Sequence, residues 1–386
     1  MANNTDRINK LSPEQRQQLL AKLQNKGLKQ IVGMQETPQE QSYIRYEQGD
    51  NFAYKLSYPP NFIQTEFVKC DLPAPAEGII QVEVKAASLN FRDLMIAMDM
   101  YPAAPGIPSI MGSDYAGVIT KVGANVDEFK VGDNVILLSV GSYNSDGVLL
   151  PESHFCKYQN VYASQAFLMP DNISFVEAAC IPTVFLTSYY SLVVVGQVKS
   201  DDIVLIHSAS GGVGLAAIEI CKWLGCQVFA TAGDDRKSDF LREIGIPLVM
   251  NSRDTSFADE IMEYTNGRGV DVVLNTLSGE SMLAGLKSLN FMGRFLQIDK
   301  KDIAANNLIP LGLFNKGLLF ASIDISLFGL DNKITKKYMK ELCDLLLANQ
   351  LKPIKYKEYP YYQLGDALNY MSRSKHIGKL VLNYNF

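Results

Sequence analysis

Apolar and polar residues follow two different rhythms along the chain. Between about residues 43 and 170, short apolar segments are separated by turn residues, and GIIQVEVKAASLN (residues 78–90) alternates as a half-buried strand does. The next such stretch, YAGVITKVGANVDEFKVGDNVILL, has glycine and aspartate at its turns. This pattern predicts an antiparallel, barrel-like sheet rather than a helix bundle.

Beyond Asn172, apolar strands alternate with amphipathic helices. Five strands are predicted, namely DIVLIHSA, QVFATAG, PLVMNS, GVDVVLNTL and GRFLQID, and each of the first four is followed by a helix. This alternation is typical of a parallel sheet covered by helices on both faces. One further helix, KKYMKELCDLLLANQ, and two strand-like segments follow. The tail, HIGKLVLNYNF, is predicted to return to the first domain.

We therefore predict an α/β chain in three parts. Residues 1–40 form a linker with one short helix, in which Ser12, Pro13 and Gln15 make an N-terminal capping pattern. This linker is either a joint to an upstream domain or a disordered tail. Residues 41–178 and 325–386 form the barrel-like catalytic domain, which binds the substrate. Residues 179–324 form a doubly wound Rossmann domain that binds a nucleotide.

Composition narrows the function classes. The 386 residues are 47% hydrophobic and 20% charged with a net charge of −5, which does not favour nucleic-acid binding. The longest apolar stretch, Phe185 to Val195, is too short to span a membrane. The first residues contain no apolar signal core, so we expect a cytoplasmic protein. Six cysteines and three histidines are scattered without metal-binding spacing, so no metal site is expected.

The segment HSASGGVGLAA lies between a predicted strand and a predicted helix. Ala209, Gly211 and Gly214 occupy the three positions of a G-x-G-x-x-G fingerprint, with Gly212 and Val213 between them. In such a turn the backbone approaches a pyrophosphate, and the helix N-terminus faces it. The strand–turn–helix context favours dinucleotide binding over a tight turn with a purely structural role.

The end of the next strand distinguishes NADPH from NADH. An NAD site has an acidic residue there, whereas this strand ends in Thr231 and Ala232. Arg236 and Lys237 follow, and cationic side chains favour the 2′-phosphate of NADPH. Asp234 and Asp235 weaken this preference unless they belong to a solvated turn.

Several stretches together resemble the enoyl reductase domain of type I polyketide synthases and of the animal fatty acid synthase. They span residues 43–386 in the family's order: SLNFRDLMIAMDMYP, HSASGGVGLAA, NSRDTSFADEI, GRGVDVVLNTLSGE, GRFLQIDKKDI and HIGKLVLNYNF. The resemblance implies the zinc-free branch of the medium-chain dehydrogenase/reductase superfamily. Its fold is a split GroES-like barrel with an inserted Rossmann domain. Zinc-containing relatives carry Gly-His-Glu where this chain has Ser113 and Asp114, which again predicts no metal.

The resemblance also implies a reaction, the reduction of an α,β-unsaturated thioester on the phosphopantetheine of an acyl carrier protein. A hydride adds to the β-carbon, and the resulting enolate is protonated at the α-carbon. Tyr101, Lys300 and Asp324 match the family's candidate catalytic residues. Tyr101 is a candidate proton donor, and tyrosine at this position implies an S configuration at a methyl-bearing α-carbon. Lys300 is a second candidate donor, with Asp324 as its acidic partner.

These three residues also have simpler interpretations. Tyr101 could instead pack against Pro102, and Lys300 and Asp324 could form a surface ion pair. By the same resemblance, further residues line the cofactor and substrate cleft. Asn90 is assigned to the substrate. The remaining cofactor-binding candidates are Thr183, Thr187, Arg253, Asn275 and Leu277.

Three other functions stay open. A substrate with a leaving group at the γ-carbon would allow the enolate to close a cyclopropane. The chain could also be a free-standing quinone or enone reductase, or a non-catalytic nucleotide-binding scaffold. As expected partners we retain the carrier protein and neighbouring polyketide synthase domains, with the chain a monomer or a homodimer.

Overall fold

The computed structural model describes residues 50–56, 66–101, 109–139, 141–150, 153–328 and 332–385. They belong to one compact unit of the chain, Tyr43–Phe386. The helix predicted near Ser12 lies outside the described residues.

The first part of the described chain is rich in strands, as its alternation predicts. Its elements are β1 Phe52–Tyr54, β2 Phe67–Lys69, β3 Ile79–Leu89, α1 Phe91–Ala97, β4 Asp114–Val122, β5 Asn134–Leu138, β6 Tyr158–Tyr162, β7 Ala166–Leu168, α2 Phe175–Ala179 and α3 Pro182–Tyr189. A π-helical stretch, Tyr190–Val195, continues α3.

Strands and helices alternate in the second part. Its elements are β8 Ile203–Ile206, α4 Gly212–Leu224, β9 Gln227–Ala232, α5 Asp235–Glu243, β10 Leu248–Asn251, α6 Phe257–Tyr264, β11 Val270–Asn275, α7 Glu280–Lys287, β12 Leu289–Gln297, α8 Lys301–Ala304 and β13 Leu319–Ser322. The last elements are α9 Asn332–Leu347, β14 Tyr356–Pro360, α10 Leu364–Ser372 and β15 Lys379–Asn383. Short 3₁₀ turns cover Ala163–Gln165, Leu311–Lys316, Ile325–Phe328 and Tyr361–Gln363.

A seven-stranded sheet forms the barrel-like half. Its order is β14-β15-β3-β4-β5-β7, and β6 pairs with β3 away from this path. Strand β15 pairs antiparallel with β3, with Leu380 opposite Leu89. The tail therefore returns to the first sheet, as predicted. Alternate side chains of the long strand β3, among them Val82 and Val84, pack with Tyr115 and Leu380 in the core of this half.

The second sheet is parallel and has six strands in the order β10-β9-β8-β11-β12-β13. The strand order reverses between β8 and β11, because β9 and β10 lie on one side of β8 and β11 to β13 lie on the other. Open α/β sheets bind ligands at the carboxyl ends of the strands that flank such a point. The fold is thus α/β, with a barrel-like strand-rich half and a parallel sheet in the Rossmann strand order, as predicted.

Helix α3 lies where the two halves meet. It begins at Pro182, a residue suited to the first turn of a helix because that turn needs no N–H from it. Phe185 and Leu186 are completely buried in the core that contains residues of both sheets. Complete burial of one such side chain contributes about 1.5–3 kcal/mol. This helix therefore connects the two sheets through one shared core.

Candidate cofactor and active site

The glycine-rich turn connects β8 to α4 at the point where the strand order reverses. Gly211 is the N-cap of α4, and no side chain caps this helix end. A Cβ atom at Gly211 would have only the Ser208 carbonyl oxygen within 4 Å, at 3.4 Å. The turn therefore leaves space beside the N–H groups of the helix N-terminus, which is the arrangement that binds a pyrophosphate.

The other two glycines have different neighbours. A Cβ at Gly214 would lie 2.5 Å from both the Cα and the carbonyl oxygen of Ala209, so this glycine allows close strand–helix packing. A Cβ at Gly212 would lie 3.0 Å from Lys379 Cδ. The Val213 carbonyl accepts a hydrogen bond from Ser188 of α3, which ties α4 to the other half. Of the three glycines, Gly211 is thus the one that opens onto free space.

Cationic side chains gather after β9 and after β10, where the adenosine end of a dinucleotide would lie. Lys237 Nζ donates to the Ser374 carbonyl at 2.5 Å, and the Arg236 guanidinium donates to the Lys375 carbonyl. Arg253 Nε donates more weakly to the Gly233 carbonyl, at 3.4 Å. Burial lowers the pKa of Lys237, Asp234 opposes this shift, and Arg236 and Arg253 add to it. The site thus concentrates positive charge.

Asp234 and His376 lie beside these cations. Asp234 is the N-cap of α5, where its carboxylate accepts from the Lys237 N–H at 3.0 Å, so it belongs to a helix cap. His376 has a buried Nδ1 without a hydrogen-bond partner. Burial, and after it the charges of Lys237, Lys379 and Arg236, together lower the pKa of His376 to about 4.

The loop after β11 is ordered by a buried amide. Asn275 Nδ2 donates to the Leu277 carbonyl and to Gln297 Oε1, both at 2.6 Å. Asn275 is completely buried, so its side chain orders the loop that carries Leu277 rather than facing the cleft. Thr276 Oγ1 donates to Ser208 Oγ at 3.0 Å and links this loop to the glycine turn.

Asn90 and Thr183 come together around a buried carboxylate. Thr183 Oγ1 donates to Asp114 Oδ1 at 2.5 Å, and Asn90 Nδ2 donates to Asp114 Oδ2 at 2.9 Å. Lys379 Nζ donates to Asn90 Oδ1 at 2.6 Å. Thr187 lies one helical turn beyond Thr183 and is also buried. Sequence reasoning missed Lys379. The signal was a lysine within the apolar tail segment HIGKLVL.

The ion pair predicted between Lys300 and Asp324 is present, with Lys300 Nζ 2.5 Å from Asp324 Oδ2. Burial raises the pKa of Asp324, but hydrogen bonds from Lys300 and Ser326 outweigh this effect and the net pKa is lowered. The Lys300 side chain is 47% exposed, so it remains accessible to a substrate.

The Tyr101 ring is held by a different contact. It is partly buried, and the Arg92 guanidinium lies 5.0 Å from the ring centroid. Arg92 in turn donates to the Ile110 carbonyl at 2.9 Å. The two candidate proton donors, Tyr101 and Lys300, thus belong to separate groups of contacts.

The described residues offer neither a metal site nor a membrane-spanning helix. They contain no group of three or more His, Cys, Asp or Glu side chains that could hold a metal ion. Within the same residues, every helix is too short or too polar to cross a bilayer.

Comparisons with known proteins agree with this geometry. The family model described as "Alcohol dehydrogenase GroES-like domain" matches residues 76–184, and that described as "Zinc-binding dehydrogenase" matches residues 212–343. The JamJ enoyl reductase structure is 32% identical with a TM-score of 0.76, and the alignment covers 87% of this chain and 99% of that one. The chain belongs to the medium-chain dehydrogenase/reductase family, among the polyketide enoyl reductases.

Two further proteins are similar to this chain. The structure titled "CurF ER cyclopropanase from curacin A biosynthetic pathway" is 30% identical with a TM-score of 0.77, covering 86% of this chain and 99% of that one. The phthioceranic/hydroxyphthioceranic acid synthase of Mycobacterium tuberculosis is 35% identical over 354 residues, or 90% of this chain. The chain spans only 16% of the length of that synthase.

Proposed function

We propose that this chain is an NADPH-dependent enoyl reductase that acts on an α,β-unsaturated thioester carried by an acyl carrier protein, next to other polyketide synthase domains. The Lys300–Asp324 ion pair carries this proposal. Lys300 follows β12 and Asp324 follows β13, and the glycine turn follows β8 of the same parallel sheet. Since carboxyl ends of parallel strands share one edge, a cation and a dinucleotide turn face the same cleft.

The residues present fit NADPH. The open space at Gly211 and the uncapped start of α4 suit the pyrophosphate. Lys237 and Arg253 would bind the 2′-phosphate, because charge-assisted hydrogen bonds to phosphate are stronger than those to the carbonyl groups they now contact. The cofactor supplies a hydride from C4 of its nicotinamide.

The remaining chemistry requires groups of this chain. When the β-carbon of the substrate accepts a hydride, the C=C electron pair moves towards the thioester and negative charge develops on its oxygen. A fixed cation near that oxygen stabilises it. Lys300 is such a cation, and Asp324 holds its Nζ in place. A proton then adds to the α-carbon, with Tyr101 or Lys300 as donor.

This proposal is tested by the turnover of synthetic enoyl pantetheine thioesters, which is measured as the rate of NADPH consumption. We expect turnover with NADPH to exceed turnover with NADH and turnover of simple quinones. Lys300→Met should lower kcat, whereas Lys301→Met, at the exposed neighbouring position, should not. Equal effects of the two substitutions would contradict the role of Lys300. Comparable turnover of quinones would favour the quinone reductase alternative. Tight NADPH binding without oxidation by any enoyl thioester would favour a scaffold.

A cyclopropane-forming reductase is the second candidate, because CurF is about as similar to this chain as JamJ is. Here the hydride would add to the β-carbon, the enolate α-carbon would attack the γ-carbon, and chloride would leave. Mass spectrometry of the products from a γ-chloro enoyl thioester separates the two outcomes. We expect the saturated chlorinated thioester, and loss of chloride with ring closure would support the second candidate.

A further inference from the structure

Strand β15 begins with a buried ammonium group that the proposed chemistry does not use. The Lys379 side chain is 3% exposed, and that of Asp114, its partner, is completely buried. Nζ lies 3.2 Å from Asp114 Oδ2 and 2.6 Å from Asn90 Oδ1. Asp114 also accepts hydrogen bonds from the Thr183 hydroxyl and from Asn90 Nδ2. One ion pair therefore joins β15, β4, α3 and the residue that precedes α1.

Stability alone is a weak reason for such a pair. Desolvation of two charges offsets much of their attraction, and apolar residues of similar volume often stabilise a protein as well or better. What the pair does provide is orientation. Lys379 binds the oxygen of the Asn90 amide and Asp114 binds its nitrogen, so the amide is held in one of its two flipped states.

The path of the lysine leads past the cofactor turn. Its Cδ would lie 3.0 Å from a Cβ at Gly212, so glycine at the start of α4 leaves room for the lysine stem. The preceding residue, Gly378, has φ of +72° and donates its N–H to the Ser210 carbonyl at 2.8 Å. A Cβ at Gly378 would lie 1.7 Å from the Lys355 carbonyl oxygen, so only glycine fits there.

These contacts place the ammonium between the pyrophosphate turn and the pair Asn90 and Thr183. We propose that Lys379 is a positioning residue for the nicotinamide half of the cofactor. It fixes the Asn90 amide and, through Asp114, the Thr183 hydroxyl, and it couples both to the start of α4. This inference rests on the proposed function, because it assumes that NADPH occupies the turn.

The test compares two double variants that remove the same charges. Lys379→Met/Asp114→Asn removes the buried pair, and Lys340→Met/Asp344→Asn removes an exposed pair on α9, with side chains 75% and 60% exposed. The double variant is used because Lys379→Met alone leaves a buried carboxylate without its counter-charge and could prevent folding. Each is measured for NADPH affinity, for the affinity of 2′,5′-ADP, which carries only the adenosine end, and for steady-state kinetics.

We expect the buried double variant to lose about 10- to 100-fold in kcat/KM for NADPH, the loss typical for hydrogen bonds to charged groups. Its affinity for 2′,5′-ADP should stay within about twofold of wild type, because this ligand lacks the nicotinamide half that Lys379 is proposed to position. The exposed variant should match wild type in every measurement. The single variant Lys379→Arg, which keeps the positive charge beside Asp114, should lose less kcat/KM for NADPH than the buried double variant.

A purely structural role predicts a different result. The folded buried variant would then keep wild-type NADPH affinity and kinetics, with only a lower free energy of unfolding, and this would overturn the proposal. Equal losses for NADPH and 2′,5′-ADP would also overturn it. If the wild-type chain binds NADPH but reduces no enoyl thioester, the proposed reaction fails, while the two affinities still test Lys379.

Discussion

Removal of the cations that follow β9 and β10 should change the choice between NADPH and NADH. The structure offers two substitutions, Lys237→Ala and Arg253→Ala. Lys237 donates to the Ser374 carbonyl at 2.5 Å, whereas Arg253 makes only a 3.4 Å contact with the Gly233 carbonyl. Phosphate binding therefore costs Lys237 an existing hydrogen bond but costs Arg253 little.

The magnitude follows from this exchange. A hydrogen bond to a charged group contributes about 1.5–3 kcal/mol, and a neutral one about 1 kcal/mol. Lys237 should thus contribute about 1–2 kcal/mol to the binding free energy of the 2′-phosphate. Arg253 should contribute about the same, because its greater exposure weakens the new bond but it loses only a weak existing contact. Each substitution should lower kcat/KM for NADPH about tenfold, since 1.4 kcal/mol corresponds to a factor of ten. The kcat/KM for NADH should change less than about twofold, because NADH has no 2′-phosphate.

The assay is steady-state kinetics with each cofactor at a saturating enoyl thioester concentration. Lys222→Ala is the matched control, because this lysine lies on α4 and pairs with Glu219 on the exposed surface. It should leave both cofactors unaffected. Equal losses for NADPH and NADH in the Lys237 and Arg253 variants would refute the 2′-phosphate assignment.

Three further predictions concern packing, pH and stereochemistry. Gly214→Ala should lower the free energy of unfolding by about 1–3 kcal/mol in urea titrations, because its Cβ would overlap the Ala209 backbone, whereas Gly211→Ala should fold normally and mainly weaken NADPH binding. Because its pKa is lowered to about 4, His376 stays uncharged in the folded protein at pH values where the unfolded chain binds a proton. Its contribution to the free energy of unfolding is therefore complete above pH 6.5 and is lost as the pH falls towards 4. Between pH 7 and pH 5, the fall in the free energy of unfolding, measured by urea titration, should be about 2 kcal/mol smaller in His376→Asn than in wild type. Equal falls in the two proteins would contradict this assignment. Tyr101→Phe should retain NADPH affinity but slow protonation or change the configuration of an α-methyl product, as read by chiral chromatography; unchanged rate and configuration would exclude Tyr101 as donor.

Local patterns predicted the fold well. The alternation of GIIQVEVKAASLN corresponds to β3, and the strand–turn–helix around Gly211 corresponds to β8 and α4. These features depend on periodicity and on the backbone freedom of glycine, which neighbouring residues determine. The individual elements are therefore predictable without knowledge of distant contacts, whereas the split GroES-like barrel was expected from the family resemblance.

The details of the site depend on contacts between distant residues. Lys379 and Asn90 are 289 positions apart. The apolar neighbours in HIGKLVL indicate that the lysine is unusual, but they do not indicate which distant carboxylate or amide it contacts. The fingerprint places Gly211 and Gly214 in one turn, but only Gly211 opens onto free space, because Ala209 packs against Gly214. Tertiary packing decides which glycine faces the ligand, and the fingerprint alone does not.

The fate of the transferred hydrogen tests the central claim most directly. The purified chain is given an enoyl pantetheine thioester and NADPH that carries deuterium on one face of nicotinamide C4 and then on the other, and the product is analysed by NMR and mass spectrometry. One of the two labelled cofactors should deliver deuterium to the β-carbon, and unlabelled NADPH in deuterated water should give deuterium at the α-carbon. A saturated product without deuterium at the β-carbon from either cofactor, or no saturated product from a chain that binds NADPH, would contradict enoyl reduction.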